Sequence, residues 1–181
     1  MTTLKVLVTS SALLLFATIS AGAQQPATPA APAAPAAAPA VAPAAPLVYG
    51  APITLEAAKR AVAAAEAEAR KNNWNVMIVI LDSGGHTVMS QRLDGTQYAS
   101  IRIAVGKART ALEFKRPTKA LDDTIAAGGG GLRLLSVGGV TAIEGGIPIV
   151  VDGKIVGSIG VSGVTAQQDA QIARAGAEAV K

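Results

Sequence analysis

The residues from Gly145 to Asp169 read GGIPIVVDGKIVGSIGVSGVTAQQD, and they leave little conformational choice. Ile147 to Val151 is apolar and β-branched, with Pro148 near its start. Asp152-Gly153 is a two-residue turn of the kind that needs positive φ, the strongest short hairpin signal. Lys154 to Val161 returns as a second strand, and Ser162-Gly163 breaks it. Thr165 then opens a helix with Gln168 three residues on, the spacing of a capping box.

The front of the chain is a different material. Lys5 precedes a mostly apolar, uncharged run from Val6 to Ser20, and Ala21-Gly22-Ala23 follows with a small-x-small pattern. This is the pattern of a cleavable export signal over residues 1–23. The run falls short of the ~20 apolar residues a membrane-spanning helix needs, so no stable membrane span is expected after cleavage. A periplasmic or secreted protein is the expectation. The chain contains no cysteine, which removes disulfides, thiolate catalysis and thiolate metal ligation. Residues 24–48 are dominated by alanine and proline, from Pro26 to Pro46. Proline at this spacing prevents a continuous helix and favours extended polyproline II segments. Residues 24–48 read as a disordered Ala/Pro-rich linker, with a semi-rigid spacer that holds the domain off a surface or partner as the alternative.

The folded unit expected is residues 49–181, long enough for one core. The formal net charge is +4, and removing Lys5 with the signal lowers it by one. With aromatics at 3%, the chain lacks the basic excess and stacking residues of a nucleic-acid binder. Thr54 caps an Ala-rich helix from Leu55 to about Lys71, with Leu55, Ala58, Val62, Ala65 and Ala69 on one stripe. Asn75 to Leu81 and His86 to Arg92 form a first hairpin around Asp82-Ser83-Gly84-Gly85. Ser100 to Arg116 reads as a helix whose apolar face is Ile101, Ala104, Val105, Ala108 and Leu112, and Pro117 ends or kinks it. A short helix follows Thr118, and Gly128 to Gly131 reads as a loop. Helix, hairpin, helices, hairpin, helix is an α+β pattern: a mostly antiparallel sheet with flanking helices in a single domain.

Several segments resemble one family. They are ITLEAAKRAV (Ile53 to Val62), LDSGGHTV (Leu81 to Val88), RLDGTQYASIRIAVGKARTA (Arg92 to Ala111), FKRPTKAL (Phe114 to Leu121) and the Gly145–Asp169 stretch. In this order they resemble the GlcG/HbpS-type haem-binding family, a domain also found at the C-terminus of PduO-type cobalamin adenosyltransferases. The resemblance implies a five-stranded antiparallel sheet flanked by helices, homo-oligomeric assembly, and binding of haem or a related tetrapyrrole.

Few residues are available for chemistry. His86 is the only histidine, and imidazole is a common axial ligand of haem iron. It follows a Gly-Gly turn, so it also reads simply as a polar hairpin residue. Without it, Tyr98, Met77, Met89 or a lysine would have to supply the iron contact, and Met77 reads as core. Arg102, Lys107, Arg109, Lys115, Arg116 and Lys119 form a basic cluster. Arg102, Arg109 and Arg116 share a face if the helix stays regular. They suit haem propionates but also read as a solvated face, with Glu113 four residues after Arg109. Thr118 either caps the next helix or contacts a ligand. Gly157, Gly160 and Gly163 precede a helix start, but G-x-x-G-x-x-G is not the dinucleotide fingerprint. The alternative is close backbone packing in a twisted strand. No Ser-His-Asp set, metal motif or paired catalytic carboxylates stand out. The expectation is an exported haem-binding protein for sequestration, transport or redox sensing. An enzyme acting on haem or a small organic acid, and a non-catalytic partner-binding module, are the alternatives.

Overall fold

The computed structural model describes residues 46–180; the signal and nearly all of the linker lie outside the described residues. The elements are β1 (Val48–Tyr49), α1 (Leu55–Lys71), β2 (Met77–Asp82), β3 (Thr87–Arg92), α2 (Ala99–Glu113), α3 (Thr118–Ala126), a 3-10 helix (Gly129–Ser136), β4 (Gly146–Val151), β5 (Lys154–Ser162) and α4 (Ala166–Glu178). The α+β class is as expected. The sheet is mixed: β2 pairs antiparallel with β3 and β5, β4 pairs antiparallel with β5, and β1 pairs parallel with β5. One edge of β5 carries β4. Its other edge carries β2 along Gly157–Ser162 and β1 at Lys154 and Ile155.

Local chemistry accounts for the frame. Asp152 (φ 49°) and Gly153 (φ 72°) adopt the left-handed conformations of the tight hairpin turn. The Thr165 hydroxyl accepts from the Gln168 amide while the Gln168 side chain accepts from the Thr165 amide, a complete capping box. Thr54 caps α1 by accepting from the Ala57 amide. Lys115 takes a left-handed φ of 53° before Pro117, so α2 stops at Glu113 rather than running on to Arg116.

The sheet separates two cores. Ile78 and Ile80 of β2 face α1 and α4 in a cluster with Val62, Ala65, Ile159 and Ile172. Met77, Val79 and Leu81 face the other way, onto Ala104 and Ala108 of α2. Burial on both faces explains why β2 is a continuous apolar run, and each isoleucine there contributes ~1.5–3 kcal/mol. Two expected stripes shift. Leu55 is half exposed, and Ile53, Ala57 and Ala61 are buried alongside Ala58, Val62, Ala65 and Ala69. On α2 the buried face is Ser100, Ala104, Lys107, Ala108 and Ala111, leaving Ile101 partly exposed. Small side chains face the sheet because the backbones run very close. A Cβ on Gly160 would lie 2.1 Å from the Ala104 carbonyl oxygen.

The glycines of β5 therefore serve packing, as their spacing suggested. A Cβ on Gly157 would lie 2.3 Å from the Leu81 carbonyl oxygen, and one on Gly163 2.3 Å from that of Asn75. The Gly128–Gly131 segment departs from the expected loop, since Gly129–Ser136 winds into the 3-10 helix. Gly131 allows this by meeting the end of α3, where any Cβ would collide with the Thr124 carbonyl.

Candidate functional site

Helices α2 and α3, the 3-10 helix and the loop from Val137 to Ile143 line an open hollow of about 520 Å³. The loop is pinned to α2 through Thr141, which meets two positions one helical turn apart. The Thr141 amide donates to the buried Thr110 hydroxyl at 2.8 Å, and Thr141 lies where a Cβ on Gly106 would sit. Ile103, Ile125, Leu134, Val137 and Ile143 supply apolar walls, with Arg102 at the side. A neighbouring hollow of about 420 Å³ shares Leu134 and Val137 and adds Phe114, Leu121, Arg116 and Arg133. Leu135 is 69% exposed, and Leu132, Val137 and Ile143 are also exposed. The result is an apolar groove with arginines on its margin, a form suited to a flat hydrophobic ligand bearing carboxylates.

The structure distributes the sequence-derived candidates unevenly. Arg116 lines the second hollow and donates from Nε to the Phe114 carbonyl at 3.0 Å. It lies beyond the end of α2, so it does not continue the face of Arg102 and Arg109. Arg109 is exposed and pairs with Glu113 at 3.9 Å. Thr118 is fully buried at the first position of α3. Its hydroxyl accepts from the Gly146 amide at 2.9 Å and donates to the Gly146 carbonyl at 3.4 Å. It does not cap α3, whose N-cap position is Pro117; it ties α3 to β4.

His86 stands at the tip of the β2–β3 hairpin with its side chain 83% exposed and lines neither hollow. Asp82 organises that tip: its carboxylate accepts from the Gly84 and His86 amides, both at 2.9 Å, with His86 Nδ1 at 3.4 Å. The bond from the His86 amide is the main reason the Asp82 carboxyl is held below its ordinary range, and the Gly84 amide adds to it. Of the other iron-ligand candidates, Met77 is core and Met89 is half-buried against the core. Tyr98 is 81% exposed, with Arg92 over its ring.

Haem is held by apolar walls for its ring, cationic partners for its two propionates and, where the iron is ligated by protein, a donor side chain. The groove provides the first two through Ile103, Leu134 and Val137 and through Arg102, Arg116 and Arg133. Its walls hold no histidine, methionine or tyrosine, and no cluster of three or more histidine or acidic side chains suited to a metal ion occurs among the described residues.

One member of the basic cluster is not on the surface. Lys107 is 1% exposed, and its Nζ lies 2.7 Å from Asp169 Oδ2. Burial pushes the Asp169 carboxyl above its ordinary range, against the pull of the Lys107 ammonium. The spacing of Lys107 from Ala104, Ala108 and Ala111 placed it on the small-residue face, a signal obscured by reading it with the neighbouring arginines.

A family model described as "Haem degrading protein HbpS-like" matches residues 53–178. Protein GlcG of Escherichia coli is 40% identical over 110 residues, 61% of this chain and 81% of that protein. The fold superposes on a double mutant of Streptomyces reticuli HbpS with a TM-score of 0.67 and 35% identity, covering 81% of this chain and 99% of that one. The crystal structure of a PduOC:haem complex gives a TM-score of 0.66 at 27% identity, covering 72% of this chain and 96% of that one.

Proposed function

From the premise that the chain belongs to the HbpS-like family, we propose that it binds haem in the apolar groove between α2, α3 and the 3-10 helix. The observation that carries this reading is the union of apolar walls and marginal arginines in one groove. Ile103, Leu134 and Val137 would cover the macrocycle, and Arg102, Arg116 and Arg133 would hold its propionates. Bound haem would supply iron redox and ligand chemistry. The protein's part is to orient the ring and keep water from its faces. The PduOC:haem complex, on a similar fold, supports this choice of ligand.

The test is a haemin titration of the purified domain. Saturable, stoichiometric binding with a shifted Soret band is expected; its absence would sink the reading. We further propose that the protein is exported after loss of residues 1–23, forms a homo-oligomer, and serves haem sequestration, transport or redox sensing. Lys5, the Val6–Ser20 run and Ala21-Gly22-Ala23 support export. N-terminal sequencing of protein from the cell envelope should begin at Gln24, and the solution mass should exceed that of one chain. No helix among the described residues is long and apolar enough to cross a membrane. The family's description favours a second reading, haem breakdown. Loss of the Soret band with a bilin product under reductant and oxygen would select it over simple binding.

A further inference from the structure

We infer a second binding site, for a small carboxylate that also carries a hydroxyl or amine donor, in the cleft between the start of α3, the Glu144–Ile147 segment and α4. The cleft measures about 260 Å³ and is walled by Pro117, Ile147 and Ala170, with Lys119, Glu144 and Arg174 as its charged members. It shares no lining residue with the two hollows of the proposed haem groove. It lies below the ~300–1,000 Å³ of drug-sized pockets, so it excludes a tetrapyrrole and admits a compact ligand.

Glu144 is the decisive residue. It is 7% exposed, yet its carboxylate takes part in no hydrogen bond or ion pair among the described residues. No buried side-chain oxygen or nitrogen among the described residues lacks a partner, so the unpaired Glu144 oxygens keep contact with water, and the cleft they line supplies it. A carboxylate so nearly enclosed gains from a donor brought into that cleft. The opposite requirement is met beside it. Helix α3 begins at Pro117 with no side-chain cap, which leaves its first amides without intrahelical partners at the positive end of the helix. Pro117 and Lys119, on either side of that start, both line the cleft. The Lys119 ammonium is held charged, first by its hydrogen bond to Asp123 and further by the field of Asp123 and Glu144. Arg174 joins no ion pair among the described residues and is free to take a carboxylate. The complementary molecule places its carboxylate against the α3 amides, Lys119 and Arg174. Its donor, a few atoms away, satisfies Glu144.

Isothermal titration of the full domain with DL-lactate, DL-alanine and propanoate tests this. Lactate or alanine is expected to bind saturably and at least about ten-fold more tightly than propanoate, the margin one hydrogen bond to a charged group supplies. Glu144→Leu should abolish that margin. Arg174→Ala, a change at an exposed site, should weaken the same ligand by about ten-fold while the melting temperature stays put. Glu144→Gln separates the two donors, since it penalises an amine more than a hydroxyl. Haemin-loaded protein should bind the small ligand unchanged. The inference is overturned if none of the three binds up to about 20 mM, if propanoate binds as well as the others, if neither Glu144→Leu nor Arg174→Ala alters binding, or if haemin displaces the ligand.

Discussion

Lys107 and Asp169, 62 residues apart in sequence, meet at 2.7 Å with side chains 1% and 3% exposed. The pair joins α2 to α4 across the end of β5. Gly145 lies directly over it: a Cβ there would come within 2.8 Å of Lys107 Nζ and of Asp169 Cβ. The second Asp169 oxygen accepts from the Val164 amide at 3.2 Å, so the carboxylate is held from two directions.

Breaking such a pair leaves one charge buried alone, at a cost of about 3–5 kcal/mol. Lys107→Met and Asp169→Asn are each expected to lose that much in urea unfolding. The double variant should recover at least half, because no buried charge remains unpaired. A double variant no more stable than the worse single one would contradict this.

Glycine positions separate by what surrounds them. Gly160→Ala pushes a Cβ to 2.1 Å from the Ala104 carbonyl oxygen and 2.6 Å from the Ala108 amide. It should cost about 3 kcal/mol or prevent folding. Gly153→Ala meets open space at φ +72° and should cost only ~1 kcal/mol, the strain of a left-handed alanine. Thermal melts of the two variants give the comparison.

The proposed haem groove makes its own prediction. Leu135→Asp places a charge on the apolar margin and should weaken haemin binding about ten-fold. Arg102→Ala should weaken it about three-fold, the value of a solvent-accessible ion pair. His86→Ala, at a hairpin tip outside both hollows, should leave the affinity within about two-fold. A large loss on removing His86 would move the iron site to the hairpin.

The acid limb of stability should carry a contribution from Asp82. Its folded-state pKa lies below the ordinary value, chiefly through the His86 amide, so the unfolded chain binds the proton more readily. The stabilisation is therefore complete above the ordinary carboxylate range and lost as pH falls through the folded-state pKa. Asp82→Asn should lower the melting temperature at neutral pH and flatten its decline between about pH 5 and pH 2. Equal slopes for the two proteins would refute this.

Much of the frame was legible locally. The Asp152-Gly153 turn, the Thr165–Gln168 box and the Thr54 cap are each set by one or two residues and their nearest neighbours, and the structure contains all three. The end of α2 is not where Pro117 alone would put it, since the helix stops at Glu113. The apolar faces were less legible. Alternation and helical period treat alanine, serine and lysine by polarity, whereas α2 packs by size: Ser100, Ala104, Lys107 and Ala108 are buried because larger side chains would not fit between α2 and β5. Arg116 looked continuous with Arg102 and Arg109 only while the helix was assumed to persist beyond Glu113.

The sequence by itself determined the hairpins, the Thr54 and Thr165 caps, the α+β class and the family likeness, because those depend on contacts within a few residues or on ordered motifs. The tertiary structure alone decided that Lys107 is buried on Asp169, that Thr118 clasps Gly146, and that Glu144, Lys119 and Arg174 line one cleft. Those outcomes depend on which distant segments share a low-dielectric interior. There a charge or hydroxyl requires a partner whose place along the chain no local pattern specifies.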